Sequence, residues 1–328
     1  MPITPGIPAP AAPFDIGRLI TKNWTIHTSN INRWSSICWS PDSRLFVAVS
    51  TTGNLDRVMT SRDGLEWDIR TTPNNNSWRS VCWSPQVGRF VAVSETGIGS
   101  RVMVSNEGIH WTATPTPLDE NWNSVCWSPQ VSLFVAVAGS GLSNRVMTSP
   151  DGIIWTVRTS ANDNAWTSVC WSPERSLFVA VSHGLTNNSV MTSPNGITWT
   201  ARTTPSTSNW ESVCWSPELG LFVAVASSIS FNTIMTSPDG IIWTLRSSPN
   251  QNRLFSVCWS SEVRLFVAVA ESGIRNRILI SPNGITWTAI TNPIDILWRS
   301  ITWSPEVGRF VAVGESGDSR AIMTSLAF

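Results

Sequence analysis

The chain has 328 residues in which 22 Lys and Arg balance 22 Asp and Glu, so no net field draws it to nucleic acid or to an anionic membrane. Charged residues are only 13% of the sequence while Ser, Thr, Asn and 20 Trp stand out, a composition that suits strands and polar turns better than solvated helices. No run approaches the roughly 18 apolar residues needed to cross a bilayer, which excludes membrane insertion by a helix.

Residues 1–14 come first. Five prolines fall within residues 1–13, and they favour an extended, polyproline-like arm that is suited to tether the protein to another chain. The opening Met1-Pro2-Ile3-Thr4-Pro5-Gly6 has neither the basic nor the apolar region of a secretory signal, so synthesis in a cytoplasm without classical secretion is expected.

Residues 15–328 are repetitive. The Trp of the motif Ser-Val-Cys-Trp-Ser-Pro stands at 39, 83, 127, 171, 215, 259 and 303, a constant step of 44 residues. A second series runs Trp34, Trp78, Trp122, Trp166, Trp210 and Trp298 with Leu254 in the sixth copy, and a third runs Trp67, Trp111, Trp155, Trp199, Trp243 and Trp287. Together with Trp24 these account for every tryptophan. Within one unit, residues 122–165, four strands are expected: Trp122 to Ser128, Leu133 to Ala138, Arg145 to Ser149 and Ile153 to Thr159. The second, apolar on both faces, reads as an inner strand, and the fourth, with polar residues mixed in, as an outer one. Between the third and fourth lies Ser-Pro-Asp-Gly or Ser-Pro-Asn-Gly, whose last pair suits the positive φ of a tight turn.

The seventh copy stops after Ser325 without a fourth strand, and Asn23-Trp24-Thr25-Ile26-His27-Thr28 carries the missing pattern. The expected fold is therefore all-β: a seven-bladed β-propeller of four-stranded antiparallel blades, closed by the N-terminal strand completing the last blade. No Gly-His or Trp-Asp pair of a WD40 repeat occupies its place. The turn Ser149-Pro150-Asp151-Gly152-Ile153-Ile154-Trp155 and its counterparts instead resemble the Asp box of BNR-like propellers, shortened by one residue, with Asn195, Asn283 and Glu107 replacing Asp in three copies. Sialidases of that family imply a tyrosine nucleophile, and this chain contains no Tyr.

The six cysteines share one repeat position and read as small hydrophobes rather than as disulfides or metal ligands, so no cofactor or metal is expected. His27, His110 and His183 occupy an outer strand, a box turn and a loop, and no catalytic residue is assigned. Glu211 is unusual because its counterparts are Ser35, Arg79, Asn123, Thr167, Phe255 and Arg299. A variable strand-start residue facing solvent is the favoured reading, and a carboxylate paired across the channel is the alternative.

The copies diverge mainly in two connections, between second and third strands and between blades, and strand alternation places both on one face. Arg79, Glu211, Phe231 and Arg299 are the candidate binding residues there. The first functional reading is a non-enzymatic attachment propeller in a larger assembly, such as a viral particle or similar appendage, contacting other protein chains through the arm and the variable face. A multivalent lectin-like propeller binding glycan between its blades is the alternative, and a glycoside-active enzyme, which would need unlike acids clustered at the channel mouth, ranks last.

Overall fold

In the computed structural model, which describes residues 24–184 and 186–327, each copy becomes one four-stranded antiparallel sheet, and seven such sheets form a ring. The arm at residues 1–14 lies outside the described residues. Blade 1 runs Trp34–Ser40, Leu45–Ser50, Val58–Ser61 and Asp68–Arg70 from the centre outwards. Its second strand is buried along its whole length, and its fourth is mostly exposed, the inside-to-outside gradient that the residue pattern dictates.

In the unit at 122–165 the first two strands occur as expected, but the third is Val146–Ser149 and the fourth is only Thr156–Arg158. The shortened fourth strand has a local cause. Asp151 Oδ1 accepts the N–H groups of Ile153 and Ile154 at 2.8 and 2.9 Å, which keeps these residues in the turn. Ser149 Oγ accepts Gly152 N–H at 2.8 Å, and the indole of Trp155 donates to Gly152 O at 3.0 Å. Gly152 has φ 76°, and a Cβ there would meet Val91 of the preceding blade at 2.6 Å, so the box both turns the chain and seats it on its neighbour.

Asn195 and Asn283 present the same oxygen to the same backbone groups, so Asn is equivalent to Asp in this turn. Glu107 is equivalent only in part: it accepts the N–H of His110 at 3.3 Å, but its longer side chain contacts the His110 ring and takes no bond from the N–H of Ile109 among the described residues.

Core packing repeats with the sequence. In every blade a fully buried Phe on the second strand lies against a Trp of the first, as Phe46 does against Trp39 with ring centroids 4.5 Å apart. In blades 1 to 6 it also lies against the box Trp, as Phe46 does against Trp67 at 6.3 Å. In blade 7 the strand Thr25–His27 pairs with Ile322–Thr324, and Trp24 takes the box position 6.5 Å from Phe310. The Trp24 indole N–H is buried without a partner among the described residues.

The seam also keeps the outer polar contact of four other blades. Arg70, Arg158, Arg202 and Arg246 each donate from Nε to a third-strand Thr that lies diagonally across, and His27 stands in the same place 2.9 Å from Thr324 Oγ1. Burial, and then the charge of Arg309, hold the His27 pKa below its usual value.

Two rings of side-chain hydrogen bonds join the blades. The first strand of each blade is the inner edge of its sheet, and its outward N–H groups need acceptors. Ser36, Ser80, Ser124, Ser168, Ser212, Ser256 and Ser300 supply them, each Oγ accepting one N–H of the next blade at 3.2–3.3 Å, and Ser300 closing the circle onto Ile37. On the turn face the indole of the Cys-Trp-Ser motif donates to Asp42, Gln86, Gln130, Glu174, Glu218, Glu262 or Glu306 of the preceding blade at 2.6–2.9 Å.

Candidate functional site

The first strand of every blade contains a β-bulge, with the register shifting between residues 34 and 36 and their six counterparts. The skipped residue leaves the inside–outside alternation, which frees its side chain for another direction. Those skipped residues are Ser35, Arg79, Asn123, Thr167, Glu211, Phe255 and Arg299, and all seven line one cavity of about 280 Å3 at a mouth of the central channel. The favoured reading of Glu211 as a solvent-facing strand start is therefore corrected: its side chain is only 12% exposed and belongs to this cavity.

The bulge residues divide into two groups. Ser35 and Thr167 donate to the first-strand carbonyls of Trp78 and Trp210 in the next blade, both at 2.6 Å, and Asn123 donates to Trp166 O at 2.8 Å, so these three tie blades together. Arg79, Glu211, Phe255 and Arg299 are the wrong size or chemistry for that bond. Arg79, Glu211 and Arg299 interact instead with members of a second series of seven, at or just past the ends of the second strands: Thr51, Glu95, Gly139, His183, Ser227, Glu271 and Glu315.

From blade 6 to blade 1 this produces an alternating chain of charges. Arg253 contacts Glu271 at 2.5 Å, Arg299 contacts Glu271 at 2.6 Å and Glu315 at 2.9 Å, and Arg33 lies 3.7 Å from Glu315. The Arg299 guanidinium also stacks over Phe255, 4.3 Å from the ring centroid. Both carboxylates of this wall of the mouth are paired with arginines.

The rest of the mouth is less committed. Glu211 Oε1 accepts hydrogen bonds from Ser227 Oγ at 2.5 Å and His183 Nε2 at 2.9 Å, while Oε2 has no hydrogen bond among the described residues. His183 was expected in a loop; it ends the strand Leu177–His183, and pairing with Ala165 holds it beside Glu211. Arg79 makes no hydrogen bond among the described residues, and its one ionic neighbour is Glu95 at 3.6 Å.

Of the four residues proposed from the sequence, the structure brings Arg79, Glu211 and Arg299 together in the mouth. Phe231 is 53% exposed in the loop between the second and third strands of blade 5, outside the cavity. The sequence reading missed His183, Glu271 and Glu315, although comparing copies at their shared position shows the same irregularity that singled out Glu211.

The loops around the mouth are built rather than loose. In blades 2, 3 and 6 an Arg turns back onto its own loop: Arg101, Arg145 and Arg277 donate from Nε to Gly97, Gly141 and Gly273 carbonyls at 2.8–2.9 Å. Asp119, Asp163 and Asp295 of the following inter-blade connection accept an N–H from the same loops at 2.6–2.8 Å. These bonds place both variable connections side by side on one face, as strand alternation predicts. They also hold Ile98, Leu142 and Ile274 out at the loop tips, 93%, 83% and 85% exposed.

The cysteines are unpaired and half-buried, and desolvation drives the thiol pKa of each upwards, which makes them poor nucleophiles. Among the described residues no group of three or more His, Cys, Asp or Glu is placed to hold a metal ion, and no helix is long and apolar enough to cross a membrane.

No protein-family model matches this sequence, and no curated protein matches it. Solved structures do match in shape. The chain is similar to streptogramin B lyase with a TM-score of 0.76 at 11% identity, over 93% of this chain and 98% of that one. It is also similar to YCF48 bound to D1 peptide (TM-score 0.68, 15% identity, 93% and 95% covered) and to the β-propeller domain of Cps50 (Swd1) from Myceliophteria thermophila (TM-score 0.68, 12% identity, 93% and 100% covered). At such identities the likeness is one of fold.

Proposed function

We propose that this protein is a non-enzymatic attachment propeller that docks a protein partner on its loop face, as a component of a larger assembly such as a viral particle or similar appendage. The observation that carries this reading is the contrast between stiff construction and exposed apolar tips. Ile98, Leu142 and Ile274 stand almost wholly in water on loops that three sets of dedicated bonds keep in place. Loops drifting without a role need no such ties, whereas a docking surface gains affinity when its contact residues are ordered in advance. YCF48, one of the similar propellers, was solved with a D1 peptide, so a protein segment is a ligand this fold can serve. The proline-rich arm, residues 1–14, acts in this reading as a tether to the same assembly, and the shortened Asp boxes act as architecture.

The glycan alternative has less support. A repeated sugar site would use the repeated indoles, but the motif Trp and the box Trp donate their N–H groups to acidic or amide side chains and to turn carbonyls of the protein itself. The mouth does gather Glu95, Glu211, Glu271 and Glu315 on or beside its wall, the feature required of a glycoside-active enzyme. Each already has an arginine or histidine partner, however, whereas acid catalysis on a sugar uses a carboxyl held neutral in an apolar setting.

Cross-linking within the native assembly tests the reading. A photoreactive residue at position 98, 142 or 274 should give cross-links to one partner chain, and one at Ile154 or Ile242, exposed on the turn face, should not. Cross-links confined to the turn face would overturn the proposal, as would a native protein recovered without any partner.

A further inference from the structure

The ionic groups of the mouth are unequally committed, and the inequality has a direction. Arg253 and Arg299 each hold a carboxylate at 2.5–2.6 Å. Arg79, by contrast, is 43% exposed with all its N–H donors free of hydrogen bonds among the described residues, and Glu95 at 3.6 Å lies beyond hydrogen-bonding distance. On the acidic side, Glu211 is fixed in place by His183 and Ser227 through one oxygen, and its second oxygen has no such bond. Arg79 belongs to blade 2 and Glu211 to blade 5, three steps apart in a ring of seven, the widest separation the ring offers. Between them the wall is polar and blade-tied at Asn123 and Thr167, and on the other side it is closed by the carboxylate-paired Arg299 stacked on Phe255.

We infer that the channel mouth is a bipolar site, which takes a ligand carrying an anionic group at one end for Arg79 and an ammonium or guanidinium at the other for Glu211. A guanidinium with free donors recognises a carboxylate through paired N–H···O bonds, and a carboxylate with a free oxygen recognises a cation in the same way. A singly charged ligand leaves the opposite group unmatched, and a partly enclosed charge without its partner weakens binding. The cavity of about 280 Å3 admits a few side chains or one small molecule, not a folded domain. The inference rests on the loop-face reading and refines it: the partner chain presents a tip with one acidic and one basic group, while its flanks cover the aliphatic loop tips. A free small zwitterion has the same chemistry.

Calorimetric titration of the full chain tests this with defined probes. One arm uses ω-amino acids from 4-aminobutanoate to 8-aminooctanoate, with the matching alkylamines and alkanoates as singly charged controls. The other uses capped peptides of Glu and Lys separated by one to three Gly, with Gln replacing either charged residue in the controls. The expected result is an optimum length whose bipolar probe binds at least about tenfold more tightly than either control, a gap of about 1.4 kcal/mol. Arg79→Ala and Glu211→Gln should each abolish that gap while melting like the parent protein, and Arg79→Lys should retain part of it. A gap in the peptide arm points to a partner chain, and a gap confined to the ω-amino acids points to a small zwitterion. Equal binding of bipolar and singly charged probes would overturn the inference, as would a gap that persists in Arg79→Ala. Loop-tip cross-links without any gap would leave the docking reading standing and remove the bipolar site; a gap without cross-links would do the reverse.

Discussion

The two faces of the ring differ in what their side chains are attached to. On the turn face the motif indole of every blade donates to an acidic or amide side chain of the preceding blade, and six box turns repeat with nearly the same distances. On the loop face the bulge position is Ser, Arg, Asn, Thr, Glu, Phe or Arg, and no two adjacent blades carry the same residue there. A ring of equal blades needs equal joints, so a residue that repeats seven times is one that holds neighbours together. A position where the repeat lapses is one the ring does not need for closure, and that leaves it available for recognition.

Removing a repeated side chain from the turn side should therefore have the largest effect. Trp155 is buried against Phe134 and anchors its box through Gly152 O. Trp155→Ala should lower stability by ~3–5 kcal/mol through the cavity it leaves, read as a fall in chemical-denaturation midpoint. A change below about 1 kcal/mol would mean that the box indole is not a structural element, since surface substitutions have that size.

The serine ring comes next. Ser124→Ala strands the N–H of Val169, whose acceptor lies one blade away. The expected loss is ~1–3 kcal/mol, the penalty for leaving a buried donor unmatched, and Ser124→Thr should recover part of it. Hydrogen exchange at Val169 is the direct readout, and an unchanged protection factor would contradict the joint.

These examples show what the residues reveal on inspection and what they hide. The ring, its blade count and its seam are legible because Trp, Phe and Cys recur at fixed spacing, and because Trp24 is the one indole outside the three series. The outer contact is legible too: Arg70 bonds to Thr60, and in blade 6, where Ile290 takes the arginine's repeat position, Ile280 takes that of the threonine, so polar goes with polar and apolar with apolar. Ser36 and its six counterparts are visible as a constant, but their purpose is not, because each bonds to a residue in the adjacent blade. The mouth is hidden by the bulge. Simple alternation sends residue 211 towards solvent, and only the register shift between Trp210 and Ser212 turns it into the channel.

Acid separates the faces on a smaller scale. Partial burial pushes the carboxyls of Asp63, Asp151 and Asp239 upwards, but the turn N–H groups and the box serine outweigh it and hold all three below the usual value. A carboxyl depressed in the folded state contributes stability above its unfolded pKa, about 3.9, and that contribution is lost as pH falls through the folded value. Replacing all three with Asn keeps the accepting oxygen, as Asn195 and Asn283 show. The triple variant should match the parent protein near neutrality and lose less of its melting temperature below about pH 4. Parallel melting curves at every pH would show that these turns do not contribute to acid sensitivity.

The smallest stability effect belongs to the loop face, and it is the sharpest test of the division. Arg79 is 43% exposed, makes no hydrogen bond among the described residues and has a loose ionic neighbour in Glu95. An exposed pair of this kind contributes ~0–1 kcal/mol, so Arg79→Ala should leave the denaturation midpoint nearly unchanged. Arg299→Ala, in the same bulge position two blades back around the ring, strips Glu271 and Glu315 of a close cation and uncovers Phe255, and should cost clearly more. Two arginines at equivalent positions would then differ because one is part of the wall and the other faces the cavity. If Arg79→Ala destabilised the ring as much as Arg299→Ala, Arg79 would be a joint like the rest, and the mouth would lose the free charge on which recognition depends.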